Sequence, residues 1–286
     1  MKILITGSSS YVGNAFKEWL TQYPGKYDID MMSLRNDEWK KISFQQYEVI
    51  LHTVGIAHVE AKPEMEPLYY KINRDLTIEV AKKAKSDGVK QFIFLSSIIV
   101  YGDSSQINQQ KVINKETKPN PANFYGDSKL QAEKGILEMK SDSFRVAIIR
   151  PPMIYGKCSK GNFPKLVKLS KILPIFPDIN NQRSMLFIDN LSEFIRLLIN
   201  NEEDGIFFPQ NEQFINTSHM VELLAKAHGK NILLTKLFNP FIFFAARYFP
   251  FINKVFGSLV YDKEMSKYKE EYRIKNLENS LKNIIR

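Results

Sequence analysis

The stretch Lys2-Ile-Leu-Ile-Thr-Gly-Ser-Ser-Ser-Tyr-Val-Gly13, continued by NAFKEWL (14–20), decides the fold. A short apolar run, 2–6, stops at Gly7, passes through small residues and gives way to a helical pattern, so it reads as strand, tight turn and helix. Gly7 permits the turn. Gly13 lets the helix pack close to the sheet, and the N–H groups of the helix's first turn are left free for a pyrophosphate. The cradle so defined is Gly7, Ser9, Ser10, Tyr11, Val12 and Gly13, with Ser10 where a GxxGxxG spacing has its middle glycine. As the first turn of a βαβ unit, it points to a dinucleotide rather than to an ordinary connection.

Outward from this turn, the pattern predicts further strands at 27–34, 48–54, 91–97 and 145–150, and helices near 65–87, 123–139 and 189–199. The runs at 91–97 and 145–150 are apolar throughout, as in a parallel sheet covered on both faces. Strands alternating with helices give an α/β fold, a Rossmann-type doubly wound parallel sheet. After Pro151-Pro152 the rhythm changes. Residues 1–156 plus 186–202 are expected to form a dinucleotide-binding domain, and 157–185 plus 203–286 a smaller C-terminal substrate-binding lobe.

Composition bounds the function. The 286 residues are 44% apolar and 25% charged, the balance of a globular protein. A net charge of +9 suits an anionic ligand, nucleic acid or an acidic membrane face, and does not choose among them. The single cysteine, Cys158, excludes a disulfide-stapled secreted domain and suits a reducing compartment. The start, MKILITG, lacks the pattern of a leader peptide, so the cytoplasm is expected. Four histidines without CxxC or HExxH give no expectation of a metal site. No uncharged apolar run reaches the ~18 residues of a membrane span.

Two positions carry chemistry. At the end of the second strand, where an acid would hold the ribose 2′-hydroxyl of NAD, the chain has Ser33-Leu34-Arg35. A hydroxyl and a guanidinium suit a 2′-phosphate, which favours NADP(H); Asp30 and Asp37 flank the stretch and leave NAD(H) open. Tyr125-Gly-Asp-Ser-Lys129 sets a phenol and an ammonium at i and i+4 on one helix face. The lysine is expected to lower the phenol's pKa from about 10 and make it a usable acid or base. Ser97 ends the strand at 91–97, on the carboxyl edge of the sheet where ligands bind.

Taken in order, TGSSSYVG (6–13), HTVG (52–55), SSIIVYG (96–102), YGDSK (125–129) and RPPMIYG (150–156) resemble the extended short-chain dehydrogenase/reductase family. Within it they are most similar to the NAD-dependent epimerase/dehydratase group of nucleotide-sugar epimerases and 4-ketoreductases. The tail motif FGSLVYD (256–262) is similar to bacterial polysaccharide-pathway 4-reductases. The resemblance implies that Ser97 and Tyr125 touch the sugar C4 oxygen and that Lys129 holds the nicotinamide ribose. It also implies Thr53, Val54, Gly55 and Asn73 along the cofactor, Pro152 beside the nicotinamide, Asn162 and Arg183 on a nucleotide diphosphate, and a homodimer. Family members that are 4,6-dehydratases have an Asp-Glu pair after the Ser/Thr. Ile98-Ile99 stands there in this chain and cannot move a proton.

The activity implied is NAD(P)H-dependent reduction of the C4 ketone of a UDP-4-keto-6-deoxy (N-acetyl)hexose in bacterial surface-polysaccharide biosynthesis. The alternatives are a UDP-hexose or UDP-N-acetylhexosamine 4-epimerase with tightly bound NAD and, more remotely, a non-catalytic dinucleotide-sensing or RNA-binding relative. Lysines spread along the chain argue against a nucleic-acid partner. The aromatic segment LFNPFIFFAARYFPFINKVF (237–256) is expected to be a buried helix pair of the substrate lobe, without membrane insertion. The alternative for it is a monotopic membrane contact.

Overall fold

In the computed structural model, residues 1–57 and 62–285 are described. The chain runs β1 (Lys2–Thr6), α1 (Tyr11–Leu20), β2 (Asp28–Met32), β3 (Val49–His52), α2 (Glu66–Tyr69), α3 (Leu76–Ser86), β4 (Gln91–Leu95), β5 (Val112–Ile113), α4 (Phe124–Leu137) and β6 (Arg145–Ile149). It continues through β7 (Met153–Tyr155), α5 (Phe163–Ile172), β8 (Ile175–Pro177), β9 (Met185–Phe187), α6 (Ile188–Asn200), β10 (Gly205–Phe207), α7 (Thr217–Ala227), β11 (Leu233–Thr235), α8 (Asn239–Ala245), α9 (Pro250–Phe256), β12 (Val260–Tyr261) and α10 (Leu277–Ile285).

The apolar strands assemble as their composition requires. Ile3, Leu4 and Ile5 of β1, Ile50 and Leu51 of β3, Ile93 of β4 and Ile148 of β6 are fully buried, because helices cover both faces of the sheet. Six strands form it, in the order β2-β1-β3-β4-β6-β10, and every pairing is parallel. From β1 the chain goes to β2 on one side and to β3 on the other. The register sets Thr6 opposite both Met32 and His52, so the switch point lies at the carboxyl ends of β1, β2 and β3. This is the Rossmann-type sheet. Its outer strand β10 comes from the stretch assigned to the second lobe. Three short parallel pairs, β7–β9, β8–β11 and β5–β12, build the region beyond the carboxyl edge. One apolar core joins both parts, running from Ile5 through Leu186 to Leu224.

Three local features bear on the reading, and two of them change it. The expected single helix at 65–87 is composite: α2 passes through a π-helical turn, Tyr70–Asp75, into α3. His52 is fully buried between the Thr6 and Thr77 hydroxyls at 2.8 and 3.1 Å, and burial pushes its pKa down to about 3. It is a neutral packing residue of β3. The third is a correction. The segment 237–256 does form a helix pair, but not a buried one: Leu237 is 73% exposed, Phe241 74% and Phe251 62%. Pro240 and Pro250 break it into two seven-residue helices, α8 and α9. Ala246, Ile252 and Phe256 reach the core, and no described element covers the outer face. Among the described residues, no helix is long and apolar enough to cross a membrane.

Candidate active site

The turn after β1 is built for close approach. Gly7 has φ +101°, a conformation L side chains rarely adopt. A Cβ at Gly13 would lie 2.8 Å from Ile5 Cγ2, so the glycine sets how near α1 comes to the sheet. Ser10 caps α1, accepting from the Gly13 N–H at 3.1 Å. Asn14 donates to the carbonyls of Ser8 and Ser10 and fixes the loop. No acidic residue lies in the first turn of α1, so its amino-terminal dipole faces the cleft uncompensated.

Beside it, the Gly7 N–H donates to Met32 O at 2.8 Å and ties the turn to the end of β2. Ser33 and Arg35 follow, and Arg35 Nη2 reaches Ser9 Oγ at 3.5 Å. Neither flanking acid enters the site. Asp30 accepts from the Tyr47 hydroxyl at 2.9 Å and pairs with Lys2 at 3.5 Å, and Asp37 pairs with Lys40 at 3.1 Å.

Tyr125 meets Ser97 because α4 presses against the turn that follows β4. Asn123 caps α4, accepting from the Gly126 N–H at 3.0 Å. A Cβ at Gly126 would sit 2.8 Å from Ile99 O and 2.9 Å from Pro121 Cβ, so only glycine allows this contact. Ser97 caps the 3₁₀ turn Ile98–Tyr101, and its side chain hydrogen-bonds the Tyr125 phenol. Lys129, one helical turn on, is buried. Its Nζ donates to Leu95 O at 3.0 Å and lies 4.6 Å from the centre of the Phe94 ring.

The electrostatics reverse one expectation. Burial pushes the Tyr125 phenol up to about 12, opposed by the Ser97 hydrogen bond, and Lys129 is not among the causes. The ammonium is turned toward Leu95 O and the Phe94 ring, so it does not lower the phenol in this state. Burial also pushes Lys129 itself down to about 8, opposed by the charge of Glu133.

Glu133 and Arg150 were not singled out in the sequence. Glu133 is fully buried on α4 at i+4 from Lys129. It accepts from Arg150 Nη2 at 2.5 Å, from Arg150 Nε and from the Ser96 hydroxyl. Arg150 in turn donates to the Tyr101 hydroxyl at 2.6 Å. The sequence signal was available: Arg150 opens the RPPMIYG motif and Glu133 extends the Tyr125–Lys129 face by one turn.

These elements enclose a cleft of about 680 Å³, within the size range of small-molecule sites. Gly7, Ser9, Ser10, Tyr11 and Val12 line one end, with Ser33, Arg35, Thr53, Val54 and Gly55 beside them. Ser97, Tyr125, Lys129 and Pro152 line the middle, and Asn162 and Arg183 the far end, with Lys160, which the sequence reading had passed over. Two expected residues do not line it. Gly13 acts behind the turn. Asn73, inside the π-helical turn, is fully buried and braces the wall: it accepts from the Ile56 N–H at 2.7 Å and donates to Ser128 Oγ at 3.1 Å.

Arg183 is a desolvated cation. Its Nη1 donates to Lys254 O at 2.6 Å and to Gly257 O at 3.3 Å, at the carboxyl end of α9, and burial lowers its pKa to about 10. Among the described residues no carboxylate pairs with it, so it suits an anionic ligand. Asn162 stands nearby at the start of α5. No group of three or more His, Cys, Asp or Glu able to hold a metal occurs among the described residues.

A phenol hydrogen-bonded to a serine, one helical turn from a lysine, above the switch point of such a sheet, defines the short-chain dehydrogenase/reductase class. Comparison with known proteins narrows it. Residues 3–207 match the NAD dependent epimerase/dehydratase family, and the chain belongs to that family. It is thus an NAD(P)-dependent enzyme of the epimerase and reductase kind. A UDP-glucose 4-epimerase of Vibrio cholerae is 32% identical over 80% of this chain and 76% of its own length. An N-acetyl-alpha-D-glucosaminyl-diphospho-ditrans,octacis-undecaprenol 4-epimerase of Escherichia coli O157:H7 is 30% identical over 72% of this chain and 63% of its own. The solved UDP-glucuronic acid 4-epimerase of Bacillus cereus, in complex with NAD, superposes with a TM-score of 0.76 at 17% identity, covering 100% of this chain and 95% of that one.

Proposed function

We propose that the protein reduces the C4 ketone of a UDP-4-keto-6-deoxy (N-acetyl)hexose with NADPH, in bacterial surface-polysaccharide biosynthesis. The observation that carries this reading is the end of β2. Ser33 and Arg35 line the cleft there, while Asp30 and Asp37 are engaged elsewhere. A guanidinium with no competing carboxylate suits a 2′-phosphate, and so an exchangeable NADPH.

The residues present fit a nicotinamide dinucleotide. The turn Gly7–Val12 and the first turn of α1 would hold its pyrophosphate, Ser33 and Arg35 the 2′-phosphate, and Thr53, Val54 and Gly55 the chain between. Lys129 would hold the nicotinamide ribose, with Pro152 against the ring. When bound, the nicotinamide supplies a hydride to a carbonyl carbon. Tyr125, protonated up to about pH 12, is in the form needed to give its proton to the ketone oxygen. The Ser97 hydroxyl hydrogen-bonds the same oxygen and stabilises the phenolate that the transfer leaves. Asn162 and Arg183 would take the diphosphate of the sugar nucleotide, within a smaller lobe formed by 157–185 and most of 203–286. Ile98 and Ile99 line the cleft beside Ser97 and offer no group for a dehydration. A cytoplasmic homodimer remains part of this reading.

A second reading is a UDP-hexose 4-epimerase that retains NAD, favoured by the 32% identity to the V. cholerae epimerase. Incubation with NADPH and a UDP-4-keto-6-deoxy-N-acetylhexosamine separates the two. The reductase oxidises NADPH in step with sugar reduced. Interconversion of UDP-glucose-type and UDP-galactose-type sugars without added cofactor would establish the epimerase and overturn the proposal.

A further inference from the structure

Among the described residues, nothing covers the outer aromatic face of α8 and α9. Leu237, Phe241, Phe244 and Tyr248 follow one another at steps of four, three and four, the spacing of one helical stripe, and the stripe points outward. Phe249 and Phe251 extend it, at 54% and 62% exposure. Phe243, by contrast, packs against the core from the other side of the helix. A stripe of this kind normally faces a core, and a solvated one marks an interaction surface.

Charge identifies the occupant. From Leu223 to Tyr261 the chain has no Asp or Glu, but it has Lys226, which pairs with Glu222, and Lys230, Lys236, Arg247 and Lys254. Among the described residues no carboxylate pairs with Lys230, Arg247 or Lys254; Asp178 stands 4.0 Å from Lys236. The neighbouring stretch 157–177, which reaches this face through the β8–β11 pair, has five lysines and no acid. Two copies meeting on this face would set cation against cation. A bilayer with anionic headgroups complements both the rings and the charges, with Lys and Arg stems reaching up to the phosphates.

We propose that α8 and α9 form an interfacial anchor that docks the protein on an anionic membrane without crossing it. Seven-residue helices are far shorter than the ~20 residues of a span. The anchor adjoins the site: Lys254 and Val255 of α9 line a cavity of about 130 Å³ with Asn162 and Arg183. Docking therefore sets the diphosphate end of the cleft at the headgroup layer.

Flotation with vesicles tests this without substrate or cofactor, so the result is independent of the reaction assigned above. The protein should float with phosphatidylcholine vesicles containing about one-third phosphatidylglycerol, not with phosphatidylcholine alone, and salt should release it. Phe241→Ser with Phe244→Ser should cut the bound fraction about tenfold or more, at an unchanged circular-dichroism melting curve, because both side chains are exposed. Lys236→Glu with Arg247→Glu should abolish the preference for anionic vesicles. The proposal is overturned if the protein stays in the lipid-free fraction, or if the serine variant floats as well as the parent. Sedimentation of a dimer that the serine substitutions dissociate would likewise overturn it, assigning the face to a second copy.

Discussion

Tyr125 and Lys129 illustrate what a four-residue spacing conveys and what it omits. That they share a helix face follows from the spacing. How deeply they sit does not, and depth reverses the expected electrostatics: the phenol rises and the ammonium falls. The consequence for pH is definite. Lys129 loses its charge as pH rises through about 8 in the free protein, whereas Tyr125 stays protonated to about 12. With Lys129 as the ribose ligand, kcat/KM should fall on the alkaline side with an apparent pKa near 8. A profile flat to pH ~10 would contradict that assignment. Tyr125→Phe should lower kcat by roughly 10²–10⁴ with dinucleotide affinity little changed, as measured by turnover and by cofactor fluorescence. At the other end of the cleft, Arg35→Asp should weaken NADPH binding by about 1–3 kcal/mol and spare NADH. Titration of both cofactors into parent and variant checks it, and equal affinities in the parent would remove the argument from Ser33 and Arg35.

Elements were legible where their periodicity was pure. The apolar runs of β1, β4 and β6 could only be covered parallel strands, and the turn between β1 and α1 announced itself by its small residues. The composite helix from α2 to α3 was not legible, because a π-turn leaves no mark on hydrophobic spacing; it brings Asn73 under the Ile56 backbone. The segment 237–256 misled for the opposite reason. A run apolar all round reads as buried, yet two proline-started helices too short to wrap into the core left most of their rings outside. Gly13 tests the element-level argument directly. In Gly13→Ala the new methyl meets Ile5 Cγ2 at 2.8 Å on a strand with no room to move. The helix must retreat from the sheet, at a cost of about 1–3 kcal/mol in urea unfolding. The pyrophosphate cradle moves with it, so dinucleotide affinity should fall in the same variant.

At the scale of the whole molecule, a buried ion pair helps tie the catalytic helix to the rest of the fold. Arg150 lies just past β6 and grips Glu133 of α4 with the Nε and Nη2 of its guanidinium, while Nη1 reaches Tyr101 in the turn after Ser97. The backbone carbonyl of Arg150 accepts from the Tyr261 hydroxyl of β12 at 2.9 Å, so the C-terminal region closes on the same joint. The sequence holds both halves of this joint, Arg150 at the head of RPPMIYG and Glu133 one turn beyond Lys129, but nothing in either stretch pairs them across the 17 residues between. Arg150→Met should destabilise the protein by about 3–5 kcal/mol, because it strands Glu133 as an unpaired charge in the core. Pairing it with Glu133→Met should restore much of that stability, since replacing both ions by apolar groups removes the stranded charge. The double variant should not restore the chemistry. Glu133 supplies the negative charge that holds up the pKa of Lys129, so without it the lysine should discharge below pH 8. The alkaline limb of kcat/KM should therefore move to lower pH in a protein whose melting temperature has recovered. If stability returns and the limb stays where the parent has it, the pair is only a brace. If stability returns while the limb moves to lower pH, Glu133 sets the charge of the lysine beside the reacting phenol.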